Sequence, residues 1–238
     1  MSTTIDRPAR QTSAPPPTEG TTRLARGLLA CGIVSSALYA VMIWAIRYDG
    51  YSPISQTVSE LSAWGTSTRT LWIPLGGLYT LLIVAFGVGV WIVAGGRRSL
   101  RITGALLVAY GALGLVWPFA AMHQRAVLAA GGATLADTAH LTLAGTTVVL
   151  MFAAMAFGAA AVAGWFRIYS IATMVVLVAF GVLTSMDASK VADDLPTPWA
   201  GLWERINICA FLLWIVVFAA VLLRERRLID HPREAPPA

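Results

Sequence analysis

The chain reads as an all-α integral membrane protein, a bundle of six membrane-spanning helices, and three observations lead there. Of its 238 residues 57% are hydrophobic and only 12% charged, with a mean hydropathy of +0.70. That is more apolar side chain than a water-soluble domain of this size can bury. Six apolar runs, at roughly 24–46, 70–95, 102–122, 139–163, 168–186 and 203–223, are each long enough at 1.5 Å per residue to cross about 30 Å of hydrocarbon. None of the six carries a charge at its middle, and the arginines gather at the ends.

Taken in order, the elements follow from composition and spacing. Residues 1–22 include RPARQTSAPPPTEGTT, too polar and proline-rich to offset the entropy of ordering, so they are expected to form a disordered tail. The first run follows this long polar segment and exceeds the apolar core of a cleavable leader, which makes it a retained anchor. The transmembrane domain is expected over 23–224, with a second disordered tail over 225–238. After the first span comes SPISQTVSELSAWG, residues 52–65. At 100° per residue Ile54, Thr57, Val58 and Leu61 share one face, and Ser55, Ser59 and Ser62 form a polar stripe beside it. With Pro53 suited to a first turn and Ser52 to an N-cap, the stretch predicts a short amphipathic interfacial helix.

The second and third spans hold Gly76, Gly77, Gly87, Gly89, Gly104, Gly111 and Gly114, and the fourth contains AAMAFGAAAVAG. Small residues let helix backbones approach closely in lipid, so these mark bundle seams. The Ala154 and Gly158 pair fits a seam or a dimer contact equally. Pro118 removes a backbone donor and predicts a kink one turn before the end of the third span, aiming His123. The links GGRRSLR and GWFR are short and force antiparallel neighbours. The other connections, 48–69, 123–138 and 187–202, are longer and hold the unusual polar residues.

Basic residues resist translocation, so their distribution sets orientation. Twelve arginines fall on the side of the termini, and Arg47, Arg69, Arg125, Lys190 and Arg205 on the other, which predicts cytoplasmic termini. Sixteen arginines against one lysine, among many Ala and Gly residues, fit a GC-rich bacterial genome and hence a bacterial plasma membrane. The net charge of +5 sits at helix ends where lipid headgroups lie. Membrane lipid is therefore the expected partner, and no nucleic-acid motif accompanies the charge. Oligomeric state is left open. Cys31 and Cys209 lie at different depths and read as small buried hydrophobes. The absence of ionisable groups in mid-span disfavours proton-coupled transport.

Topology then delivers polar residues from separate helix ends to one boundary of the bilayer: Ser59 and Glu60; His123, Arg125 and Asp137; His140; Asp187; Glu204 and Arg205. Three readings of this rim stand side by side. The groups cap and pair with one another, tying the helices into a structural or scaffolding bundle. Alternatively, His123, His140, Asp187 and Glu60 hold a divalent metal that activates water in a membrane hydrolase acting on a lipid or small molecule. In a variant of that reading Ser59 is the nucleophile, His140 the base and Asp187 the orienting acid. In the third, Ser59, Glu60, His140, Asp187, Glu204 and Arg205 line a pocket for a lipid headgroup or small ligand, with Arg205 fixing an anionic group.

PISQTVSELSAWG after the first span, His140 opening the fourth, SMD (Ser185 to Asp187) closing the fifth and GLWERI (Gly201 to Ile206) opening the sixth occur in that order. This pattern resembles the DUF998 family of bacterial and archaeal membrane proteins. The resemblance covers about residues 24 to 224 and implies a compact six-helix membrane bundle. It supplies no activity, so Ser59, Glu60, His140, Asp187, Glu204 and Arg205 enter through it as candidate site residues.

Overall fold

The computed structural model describes residues 19–230. Its helices are α1 (Glu19–Ala45), α2 (Arg69–Val93), α3 (Arg98–Leu113), α4 (Arg125–Ala129), α5 (Leu135–Ala161), α6 (Trp165–Met186), α7 (Ala188–Ala192) and α8 (Ala200–Asp230), with no strand among the described residues. Six spans are long and apolar enough to cross a membrane: α1, α2, α3 with its continuation to Phe119, α5, α6 with α7, and α8. Leu81, Val149 and Ile168, between 64% and 72% exposed, point outward, which is favourable only where the solvent is lipid.

The spans close into a ring. Each packs on the next in the chain, and α8 returns to pack on α1. A ring of six helices leaves a wide centre, and α8 fills it with large side chains at helical spacing. Phe211 stacks on Trp214 at 6.1 Å and Trp214 on Phe218 at 4.9 Å. Tyr110, Phe86 and Phe166 reach this column from α3, α2 and α6 at 5.2, 6.2 and 5.5 Å. Burying the Trp214 indole requires a partner for its N–H, and the Ser170 hydroxyl accepts it at 2.9 Å.

The glycines act where two backbones meet. A Cβ on Gly104 would stand 2.8 Å from the Gly87 carbonyl oxygen and 2.8 Å from the Trp91 nitrogen, both main-chain atoms that have no rotamer by which to retreat. Gly104→Ala is therefore expected to pry α2 from α3 and lower stability by about 1–3 kcal/mol, read as a lower midpoint in detergent unfolding of the purified protein. Gly158 packs under Trp214, whose ring would lie 2.8 Å from an added Cβ, and Ala154 is fully buried. That stretch is an internal seam, so the dimer contact the sequence allowed there is not available.

Three local expectations change. Residues 52–65 form a tight turn over 53–55 and a single 3-10 turn, Ser59–Ser62, instead of an amphipathic α-helix. Val58 and Leu61 of the expected apolar stripe are buried, while Ile54 stays 38% exposed. The third span does not kink at Pro118. It stops as an α-helix at Leu113 and continues through three-residue turns into a 3-10 segment, Trp117–Phe119, because proline lacks the N–H that would extend the ladder. The tails were expected over 1–22 and 225–238, yet residues 19–22 belong to α1 and 225–230 to α8. Residues 1–18 and 231–238 lie outside the described region.

Two levels of tryptophan mark the membrane surfaces. Trp91 and Trp165 are exposed near the chain ends, and Trp44, Trp64 and Trp199 are exposed at the opposite end. The latter end, called the rim below, carries the 46–68, 114–134 and 187–199 connections.

Candidate functional site

The rim is organised around residues 48–68, which fold back over the bundle as a cap. Tyr51, Val58 and Leu61 of the cap pack on Met42, Ile43 and Trp72 of the bundle as a small apolar base. The cap is short of regular structure, so its carbonyls need partners from elsewhere, and side chains of four other segments supply them.

Arg205, in the second turn of α8, is fully buried. Its guanidinium donates to the carbonyls of Ile43 (3.0 Å), Pro53 (2.8 Å), Gln56 (3.1 Å) and Gly201 (3.1 Å), and to the Tyr51 hydroxyl (2.6 Å). Tyr51 in turn shares its proton between the Gln56 and Thr57 carbonyls, at 3.1 and 2.8 Å. The close approach needs Gly201: a Cβ there would collide with the Gln56 carbonyl and lie 2.7 Å from that of Pro53. Beside it Glu204 accepts the Val58 N–H and, at 3.4 Å, the Ser59 hydroxyl. The GLWERI motif thus works as a clasp for the cap.

Glu60 is 3% exposed and belongs to a different cation. Arg125, opening α4, grips it with two bonds, Nε to Oε1 at 2.7 Å and Nη2 to Oε2 at 2.9 Å. The Thr57 N–H and hydroxyl also donate to Oε2, at 2.7 and 2.9 Å, and Gln56 Nε2 donates to Oε1 at 3.3 Å. The carboxylate's hydrogen bonds raise the Arg125 pKa above its ordinary value. Burial, ahead of the nearby Glu60 charge, raises that of Tyr48, and burial likewise raises that of Tyr51, so both keep their hydroxyl protons.

A third set of bonds ties the cap to the 114–134 connection. Arg69 donates to the Ser62 and Pro118 carbonyls at 2.7 and 2.6 Å and lies 3.9 Å over the Trp64 ring, while the Trp64 N–H reaches the Met122 carbonyl at 2.9 Å. Pro118, expected to aim His123 by a kink, instead presents an acceptor.

The remaining sequence candidates are on this rim but have separate partners. The His123 ring and main-chain N–H both meet Asp137, at 2.9 and 2.8 Å, and Asp137 also closes the capping box of α5 with Thr134. His140, one turn further, is buried and donates from Nδ1 to the Ala120 carbonyl at 2.9 Å, with the Trp117 ring edge-on at 5.0 Å. Asp187 receives Lys190 at 2.7 Å. Ser59, His140 and Asp187 therefore make no hydrogen bond with one another. Among the described residues no three of His, Cys, Asp or Glu are grouped so as to hold a metal ion. Glu60, His140, Asp187 and Arg205 share the rim, each with its own hydrogen-bond partners.

One opening remains beside the cap. A cleft of about 450 Å³ lies between the 50–56 turn and the 194–198 loop, lined by Ser55, Gln56, Arg125, Asp194 and Thr197 among others. Thr197 braces its walls by donating to the Ser55 carbonyl at 2.8 Å, and Arg125 reaches the Leu195 carbonyl at 3.3 Å. Asp194 holds a positive φ of 53°, the one such non-glycine residue described. Sequence reasoning placed Arg125 on the rim but left it out of the candidate pocket set, and passed over Gln56, Asp194 and Thr197. A carboxylate at Glu60 beside apolar spans needed a cation, and that was the signal for one of the rim arginines, without saying which.

Fold and rim together define a class: a multi-pass membrane protein whose six helices form a closed ring, capped at one end by a segment fastened through buried arginines. The chain belongs to the DUF998 family, proteins of unknown function, whose sequence pattern matches residues 29–221. No curated protein and no solved structure matches it.

Proposed function

We propose that this is a binding protein of the bacterial plasma membrane, with cytoplasmic termini, whose rim cleft takes a small polar molecule or a lipid headgroup from the outer surface. The observation that carries the reading is the braced cleft itself. Its volume lies in the range of small-molecule sites, and the Asp194 carboxylate lines it while Arg125 is taken up by Glu60, which suits a headgroup that carries a cation, such as a phosphoethanolamine. The buried groups around it serve to hold its walls, since Glu60, Arg205 and Glu204 hydrogen-bond within the protein. The same saturation favours a second reading, in which the rim is only a fastening of a scaffolding bundle.

Asp194→Asn separates the two, because asparagine tolerates the left-handed backbone and removes only the charge. Titrating purified protein with glycerophosphoethanolamine is expected to raise its unfolding temperature, and Asp194→Asn to abolish that rise while leaving the ligand-free temperature unchanged. A wild-type protein indifferent to this headgroup and to glycerophosphoglycerol would leave the scaffold reading standing.

A further inference from the structure

A second cleft lies at the other end of the bundle, where the α2–α3 connection meets the last turns of α8. It measures about 420 Å³ and combines apolar walls from Ile92, Val93 and Leu222 with Arg97, Arg226 and Glu225 at its mouth. No atom stands within 4 Å of where a Cβ on Gly95 or Gly96 would be, so nothing blocks the floor between wall and mouth. The exposed Trp91 alongside sets the mouth at headgroup depth.

We propose that this cleft binds an anionic phospholipid, its phosphate between Arg97 and Arg226 and one acyl chain along the exposed Ile92. The two arginines outnumber the single carboxylate, so the mouth carries a net positive charge. A phospholipid with no cation of its own adds the missing negative charge, whereas a choline lipid brings a second cation and gains little. A free phosphate would leave the exposed Ile92 without a partner. The structure also contains an internal competitor: Glu225 holds Arg97 at 3.1 Å in an exposed ion pair. Removing that carboxylate frees Arg97 for a phosphate.

The test uses full-length protein in nanodiscs of phosphatidylcholine doped with phosphatidylglycerol, counting retained lipids by native mass spectrometry. Wild type is expected to retain phosphatidylglycerol in preference to phosphatidylcholine. Arg97→Gln and Arg226→Gln should each weaken that preference about fivefold, the worth of one basic residue at a membrane surface. Glu225→Gln should strengthen it, a gain that misfolding does not produce. Equal retention of the two lipids by wild type overturns the proposal, as does a preference untouched by all three substitutions. Displacement of the bound lipid by millimolar inorganic phosphate overturns it too, because the site would then recognise the free anion.

Discussion

Replacing Arg205 by glutamine is expected to lower the stability of the purified protein by about 2–6 kcal/mol, the cost of leaving two buried carbonyls without a donor. The guanidinium reaches five oxygens, and a glutamine amide has two N–H donors on a shorter stem. The Ile43 and Pro53 carbonyls would be left buried without this donor, at roughly 1–3 kcal/mol each. Arg205→Lys should recover only part of the loss, since one ammonium has three donors and none of the planar fork. Reversible denaturant titration in mixed micelles gives the numbers. A glutamine variant as stable as wild type would mean that the clasp contributes nothing.

The second large effect belongs to Glu60 and Arg125, whose side chains are 4% and 12% exposed. Glu60→Gln alone strands a guanidinium and Arg125→Gln alone strands a carboxylate, each at about 3 kcal/mol or more. The double substitution Glu60→Gln with Arg125→Gln removes both charges together. It should be more stable than the summed single losses by upwards of about 1 kcal/mol, the signature of direct coupling in a double-mutant cycle. Strict additivity would show that the two residues act independently of the contact seen here.

How much of this was legible follows from what each feature depends on. The spans were visible because length and hydropathy alone fix them, and the shared rim was visible because antiparallel neighbours return every second helix end to one side. Partner choice was not. Glu60 pairs with a residue 65 positions away, and nothing in local spacing distinguishes Arg125 from Arg69 as its cation. Residues 52–65 misled for a related reason. Their stripe at helical spacing is real, with Val58 and Leu61 facing inward, but Arg205 and Tyr51 take up the carbonyls that an α-helix would have used internally. Tertiary hydrogen bonds there override local periodicity. At Pro118 the sequence showed correctly that the ladder must break, and the backbone met the break by unwinding.

The clasp on α8 also bears on the order in which the protein is made. Val58, Pro53 and Tyr51 wait for partners 146, 152 and 154 residues further along the chain. A nascent chain with five spans already in the bilayer therefore still has a first loop held by Arg69 and Arg125 but without its clasp. Only arrival of α8 delivers Glu204 and Arg205 together, so insertion of that span and closure of the rim become one event. Truncation just ahead of Gly201 would yield an inserted product that a surface protease recognises as unfinished.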